Sequence, residues 1–402
     1  MSTYIRIILV SAVCLGLLVL ASVRFPVSSD AKRQAPQEIN SQKRQRQQMF
    51  VPGEVLVQYR SESMARNKGA GMRIAALDGR ILPVDVERTH GSDLLPGLRL
   101  AHVAPEETLN AVQAFRQQPD VLYAEPNYIL KADVTPNDPK FNQQYALALI
   151  GAPQAWDTRT GSTGAGRVVI GVIDQGIDFN HQDLNANIWI NPAEVAGNGV
   201  DDDGNGFTDD VRGFNFVNNN GTTFSGAAIE DHASHVAGIA GAVGNNGVGN
   251  AGVNWSVGLM SLKFLDQNGF GDTSDAIDAV TYATMMRNLW ETSNHTKGAN
   301  VRVLNASFGG GSFSQPFVNA INAANTAGIL FVAAAGNVDN GTREPNNDLV
   351  PHFPSSFDAP NIIGVAATNQ ADGLASFSHF GATTVDIAAP GVGILSTTPN
   401  NT

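Results

Sequence analysis

Residues 168–178 read Val-Val-Ile-Gly-Val-Ile-Asp-Gln-Gly-Ile-Asp, and this stretch decides the fold. The continuous apolar run 168–173 predicts a β-strand of a parallel sheet that is buried on both faces. Further strands are predicted at 259–265, 301–304, 329–335 and 362–367, with helices at 232–243, 275–286 and 317–327. This alternation predicts an α/β fold with a doubly wound, mostly parallel sheet. Functional groups in such sheets cluster at the carboxyl ends of the strands, where Asp174 stands.

Two residues stand out as candidates for chemistry. Asp174 could orient an imidazole from the end of its strand, and the alternative is an Asp that only forms the turn before Gly176. His232 opens a segment rich in Ala and Gly, which predicts a helix packed tightly on the sheet with the histidine facing a cleft. His232 and His235 are three residues apart, so a zinc pair is an alternative. No glutamate stands between them and no third ligand is obvious.

The sequences around Asp174 and His232 resemble the Asp and His motifs of the subtilisin-like serine proteases, the subtilases. The resemblance implies a subtilisin-like fold, an Asp-His-Ser triad that contains Asp174 and His232, and a structural role for His235. Ala233 and Ser234 depart from the Gly and Thr that are usual in the family. Both residues are small, so we expect the geometry to survive.

Two later segments extend the resemblance. Residues 304–310 resemble the edge strand that pairs with the substrate backbone, which makes Ser307, Phe308 and Gly309 the expected substrate-binding residues. Residues 333–337 resemble the oxyanion-hole segment. The resemblance implies that the Asn337 side-chain amide donates to the oxyanion that develops during the reaction.

The nucleophile of the family is expected in a Gly-Thr-Ser pattern, shortly after the segment that residues 386–391 match. The serines that follow Asn337 lack this context; they are Ser355, Ser356, Ser376, Ser378 and Ser396. We therefore expect the given chain to stop before its nucleophile and to be inactive as it stands. The alternative is a catalytically inactive binding module on a protease scaffold.

Residues 201–210, Asp-Asp-Asp-Gly-Asn-Gly-Phe-Thr-Asp-Asp, have the spacing of a looped Ca²⁺ site. The predicted ligands are Asp201, Asp203, Asn205, the carbonyl of Phe207, and Asp209 or Asp210. Arg212 takes the place of the usual glutamate, and the alternative is a solvated acidic turn. The family resemblance implies a weaker second site with Asp183, Asn246 and carbonyls near Val248 and Asn250. Calcium would replace disulfides, because Cys14 is the only cysteine.

The first 136 residues differ in character from the rest. Residues 1–29 predict an export signal, with a retained membrane anchor as the alternative, and residues 30–49 predict a flexible linker. Residues 50–132 predict a small α+β domain that resembles the inhibitory prodomain of subtilases, with strands at 54–59, 98–103 and 121–128 and a helix at 106–117. Its end, 123–128, resembles the tail that lies in the cleft before cleavage. A hinge at 133–138 precedes the peptidase domain, residues 137–402.

The charge distribution bears on the partners. Residues 137–402 hold 9 of the 25 Lys and Arg and 24 of the 37 Asp and Glu, which leaves them at −15 and residues 1–136 at +3. An acidic body argues against a nucleic-acid partner, and the opposite charges favour attraction between the two parts. We expect a secreted or cell-surface, monomeric, calcium-binding serine endopeptidase that acts on proteins and peptides and is inhibited by its own prodomain. A calcium-stabilised structural protein of the cell surface is a further alternative.

Overall fold

A computed structural model of the chain describes residues 50–66, 68–88, 94–129, 134–338 and 344–401. The chain divides into two compact units, one formed by residues 27–132 and one that contains residues 133–402. The predicted export signal and linker lie outside the described residues. None of the described helices combines the length and the apolar character that a membrane crossing needs.

The smaller unit is an antiparallel sheet of five strands in the order β2-β3-β4-β1-β5, with a helix on one face. Its elements are β1 (Phe50–Tyr59), α1 (Glu62–Ala65), β2 (Met72–Ala75), β3 (Ile81–Arg88), β4 (Leu98–His102), α2 (Thr108–Arg116) and β5 (Val121–Tyr128). Strands β2 and β3 were not predicted, although alternate residues of β3 are buried from Leu82 to Val86. Residues 123–128, predicted as a tail, belong to the edge strand β5, which pairs with β1.

The larger unit is built on a sheet of seven strands in the order β12-β11-β10-β9-β6-β8-β7, with only parallel pairings. Its strands are β6 (Val169–Asp174), β7 (Gly213–Asn215), β8 (Gly258–Lys263), β9 (Val301–Ala306), β10 (Leu330–Ala334), β11 (Ile362–Thr368) and β12 (Ile387–Pro390). Its helices are α3 (Tyr145–Leu149), α4 (Ala152–Trp156), α5 (His232–Gly241), α6 (Thr273–Thr292) and α7 (Gln315–Thr326). The predicted doubly wound α/β fold is confirmed.

The sheet is covered on both faces, as its apolar strands require. Buried residues of α6 and α7, such as Tyr282 and Ile321, share one apolar cluster with Met260. On the other face Val236 of α5 packs in a second cluster with Val172. After β6 the chain forms β7 and β8 on one side and then β9 on the other, so the strand order reverses at β6. Crevices at such a switch point are where α/β sheets bind ligands.

Candidate active site

Asp174 is fixed at the carboxyl end of β6, where the strand order reverses. The residue is 1% exposed, and the Gln175 backbone N–H donates to its Oδ1 at 2.7 Å. The following turn runs close to another backbone segment: at Gly176, with φ 113°, a Cβ would lie 1.9 Å from the Thr223 carbonyl oxygen. A glycine is therefore needed for the chain to leave β6 in this direction.

His232 is the first residue of α5, and its side chain is 30% exposed. The helix approaches β8 closely because its small residues leave room; a Cβ at Gly241 would lie 2.5 Å from the Val257 side chain. The His232 Nδ1 lies 2.9 and 2.8 Å from the two carboxylate oxygens of Asp174. In the tautomer that donates from Nδ1 to the carboxylate, Nε2 is the basic nitrogen.

The electrostatic surroundings make His232 a stronger base than an ordinary histidine. Burial lowers the pKa of His232, but the charge of Asp174, the hydrogen bond to it and the charge of Asp231 together raise the pKa above its ordinary value. A general base that a buried carboxylate both orients and makes more basic can remove a proton from a hydroxyl nucleophile. The two predicted residues therefore have the geometry that a base and its orienting carboxylate require.

The second histidine of α5 has a different partner. His235 Nε2 lies 3.2 Å from the Ile394 carbonyl oxygen, whereas the His232 Nδ1 faces Asp174. The two rings thus serve separate contacts. This arrangement favours the structural role for His235 over the zinc pair that the spacing alone left open.

The expected substrate segment follows the end of β9. The expectation of an edge strand over 304–310 is wrong for Leu304–Ala306, because β9 lies between β10 and β6 inside the sheet. Ser307, Phe308 and Gly309 extend past the last paired residue, and none of the described ladders includes them. The Phe308 ring packs against Phe264, with centroids 4.5 Å apart, so the segment is anchored by its middle side chain.

Asn337 comes three residues after the carboxyl end of β10. It therefore lies at the same end of the parallel strands as Asp174. Gly336 before it has φ 111°, and a Cβ there would lie 2.8 Å from the rings of both His352 and His379. The Asn337 Oδ1 is buried without a hydrogen-bond partner among the described residues. This oxygen is an acceptor, so the oxyanion role that the resemblance implies would fall to the N–H₂ group of the same amide.

Three of the serines that follow Asn337 donate their hydroxyls to backbone carbonyls. The Ser355 hydroxyl donates to the His352 carbonyl, Ser378 to the His379 carbonyl and Ser396 to the His235 carbonyl. In the part of the chain that the structure describes, no hydroxyl is hydrogen-bonded to the His232 ring. Among the described residues, the His232 ring therefore has a carboxylate partner but no hydroxyl partner.

The acidic loop holds a cluster of three carboxylates. One oxygen each of Glu194, Asp203 and Asp210 lies within 4.8 Å of the others. Burial raises the pKa of Glu194 and of Asp210, because the charged forms lose contact with water. A cation would relieve this penalty, and an all-oxygen donor set suits Ca²⁺. Glu194 was missed because it precedes the loop motif and only the folding of residues 191–203 brings it near.

The other predicted calcium ligands have different contacts. Asn205 lies at the cluster, where its Nδ2 donates to Asp203 at 3.1 Å and to Asp210 at 2.7 Å. The Asp201 carboxylate accepts from the backbone of Gly204, Asn205 and Gly206, and Asp209 accepts from that of Asn198 and Gly199. The Phe207 ring packs against Tyr282 at 4.9 Å. Asp201 and Asp209 thus shape the loop around the cluster.

A second acidic site, the pair Asp183 and Asp138, lies beside residues 246–250. Asp183 is fully buried and accepts from the Asn246 side chain and the Asn250 backbone, both at 2.9 Å. Burial, together with the charge of Asp138, raises the pKa of Asp183 to about 6. The Asp138 Oδ1 is buried with no hydrogen-bond partner among the described residues. This donor set fits a cation. Asp138 was missed because the hinge pattern predicted an exposed segment.

Comparisons with known proteins agree with this geometry. The family model for the subtilase family matches residues 165–402, and the model for the fervidolysin N-terminal prodomain matches residues 36–127. A thermophilic serine proteinase of Bacillus sp. (strain AK1) is 32% identical over 88% of this chain and 73% of its own length. Thermitase of Thermoactinomyces vulgaris is 35% identical over 67% of this chain and 77% of its own. An extracellular protease of Xanthomonas campestris pv. campestris is 35% identical over 78% of this chain, and the match spans 52% of that protein.

Proposed function

This chain belongs to the subtilase family, and we propose that it is a secreted, monomeric serine endopeptidase that cleaves proteins and peptides through an acyl-enzyme. The observation that carries the proposal is the contact of the His232 Nδ1 with the buried Asp174 carboxylate, at 2.8 Å. Extracellular and thermophilic proteases among its relatives support secretion and peptidase chemistry.

Each residue has a distinct part in the proposed reaction. Asp174 holds the His232 ring so that Nε2 takes the proton of a serine hydroxyl while the hydroxyl oxygen attacks the peptide carbonyl carbon. The Asn337 amide donates to the resulting oxyanion. His232 then passes the proton to the leaving amine as the C–N bond breaks, and water repeats the sequence on the acyl-enzyme. Residues 1–402 contain no Gly-Thr-Ser, so the proposal assigns the nucleophilic serine to no residue of this sequence.

The substrate is proposed to lie beside Ser307, Phe308 and Gly309. These residues follow an internal strand without joining any of the described ladders, so their backbone groups can pair with an extended peptide. Recognition through the main chain places few demands on side chains. We therefore propose broad specificity.

Peptide hydrolysis is the test of the proposed function. A chain that carries the nucleophilic serine should hydrolyse an unstructured protein substrate, and His232→Ala should abolish turnover. His295→Ala is the matched control, because His295 stacks on Trp290 outside the site. Tight binding of peptides without any turnover would instead support the inactive binding module.

We propose Ca²⁺ as the structural ion of the larger unit. Glu194, Asp203 and Asp210 would hold one ion, and Asp183 with Asp138 and the Asn246 region a second. A bound ion would neutralise buried carboxylates and tie the loops together, as disulfides do in other secreted proteins.

Calcium should therefore raise the thermal stability. If the native state alone binds the ion, a concentration of about 100 Kd stabilises by about 2.7 kcal/mol, which corresponds to a rise in Tm of about 5–10 °C. Most of this rise should disappear in Asp203→Asn/Asp210→Asn. Asp202→Asn is the control, because Asp202 lies in the same loop but accepts from Val195 and Asn198. A Tm that chelator leaves unchanged would reduce the loop to an acidic turn.

We propose residues 1–29 as an export signal, 30–49 as a linker, 50–132 as an inhibitory prodomain and 137–402 as the peptidase domain. The prodomain match over 36–127 and the opposite charges of the two parts support a prodomain before the peptidase domain, although the match starts inside the proposed linker. The Val134 backbone N–H donates to Asp157 and that of Asn137 to Asn245, so cleavage before Val134 would keep both contacts. Amino-terminal sequencing of mature protein tests the position, and a start near Phe50 would make the small domain a permanent module.

A further inference from the structure

A buried ion pair lies beside the catalytic pair and has no part in the chemistry described so far. Lys263 Nζ is 3.1 Å from Glu230 Oε1, and each of the two side chains is 5% exposed. Buried ion pairs of this kind add little net stability, because desolvation offsets most of their attraction. The role of this ion pair is therefore to be inferred from where it lies and not from its contribution to stability.

Lys263 is the last residue of β8 and the direct neighbour of Asp174 in the sheet. Its ammonium group has three protons and three acceptors: the Glu230 carboxylate, the Gln175 carbonyl oxygen and the Leu265 carbonyl oxygen, the last at 2.9 Å. Lys263 thus joins the turn after β6, the turn after β8 and the segment before α5.

Two of these segments carry the catalytic pair. Gln175 directly follows Asp174, and Glu230 precedes His232 by two residues. The Gln175 side chain completes the link, because its Oε1 accepts from the His232 backbone N–H at 3.4 Å. Glu230 is held in turn by the Ser225 backbone N–H at 3.0 Å. A continuous set of polar contacts therefore runs from Lys263 to both sides of the Asp174–His232 hydrogen bond.

We propose that Lys263, through Glu230 and Gln175, is a positioning residue that holds His232 at hydrogen-bonding distance from Asp174. This inference rests on the proposed function, since it assigns the ion pair to the geometry of the catalytic base. Lys263 touches neither the His232 ring nor a reacting atom in this arrangement. It acts by holding the backbone on which both catalytic side chains stand.

The test uses proton NMR of the chain as it is, so that no turnover is required. In the parent the His232 Nδ1 proton should give a resonance far downfield of the amides, assigned by its loss in His232→Ala. Lys263→Met/Glu230→Gln removes both charges together, so no unpaired charge is left buried. This variant should melt within about 4 °C of the parent, but lose the resonance and shift the pKa of His232 from its raised value towards the ordinary one.

Two further variants make the outcome decisive. Arg287→Met removes another buried cation, which donates to the Asn300 side chain just before the amino end of β9. This variant should have a lower Tm than the parent and should keep the resonance. Should the double variant not fold, Glu230→Gln alone is the second variant, because it keeps a side-chain acceptor for Lys263. In this variant the His232 Nδ1 proton should exchange with solvent faster than in the parent. An unchanged resonance in every folded Lys263 or Glu230 variant would overturn the positioning role alone. If the folded parent lacks the downfield His232 Nδ1 resonance, the proposed function and this inference are both overturned.

Discussion

Asp174→Asn is expected to lower kcat by about 10⁴-fold in a chain that contains the nucleophilic serine. An asparagine can donate to the His232 Nδ1 and so stabilise the wrong tautomer, and it cannot balance the charge of the imidazolium. Asp174 is 1% exposed, and asparagine has nearly the same shape, so the fold should survive. Kinetics of peptide hydrolysis and a thermal melt measure the two effects separately.

The same replacement should change the pH dependence in a defined direction. The pKa of His232 lies above its ordinary value because the charge of Asp174, the hydrogen bond to it and the charge of Asp231 together outweigh burial. Without the Asp174 charge the pKa should fall, so the acid limb of the variant's pH–rate profile should move to lower pH. The raised pKa also stabilises the fold below the pKa of the unfolded chain, and this stability is lost as pH rises through the folded pKa. Asp174→Asn should remove this pH-dependent stabilisation.

Asp178→Asn is the matched control for Asp174. Asp178 is buried in the same segment but accepts from the backbone of Asn180 and Asn400. Its replacement should affect stability more than kcat. If Asp174→Asn lowers kcat by less than about tenfold, Asp174 is not part of a triad.

Asn337→Ala is expected to lower kcat by about 10²–10³-fold with little change in KM, because the amide is proposed to donate only to the oxyanion. The Asn337 Oδ1 has no hydrogen-bond partner among the described residues, so truncation removes no internal hydrogen bond that this oxygen accepts. Steady-state kinetics, with Tm measured on the same samples, test this expectation.

Asn347→Ala provides the contrast. Asn347 is fully buried, donates to the Ala335 carbonyl at 2.7 Å and contacts the His379 ring nitrogen at 3.0 Å. Its loss leaves buried polar groups without partners, so Tm should fall. An Asn337→Ala enzyme with raised KM and unchanged kcat would show that Asn337 binds the ground state, and the oxyanion role would then be wrong.

Features that depend on neighbours along the chain were predictable from the sequence. The apolar run before Asp174 predicted a buried parallel strand, and the Ala and Gly residues after His232 predicted a closely packed helix, because periodicity and side-chain size act locally. The contact between Asp174 and His232, 58 positions apart, followed from the family motifs, and the 2.8 Å distance agrees with it.

Tertiary structure decided what depends on residues far apart in sequence. Asp138 lies near Asp183 only because segments far apart in sequence pack together, and Glu194 joins its cluster through the folding of residues 191–203. Strand β9 lies inside the sheet because the chain later adds β10 beside it. Lys263 gave no signal, since a lysine at the end of a strand is usually solvated. Its burial depends on Glu230 and on the carbonyls that the fold directs at it. The sequence by itself determined the strands and helices of the α/β sheet and pointed to Asp174 and His232; packing alone decided which charges are buried and what holds them.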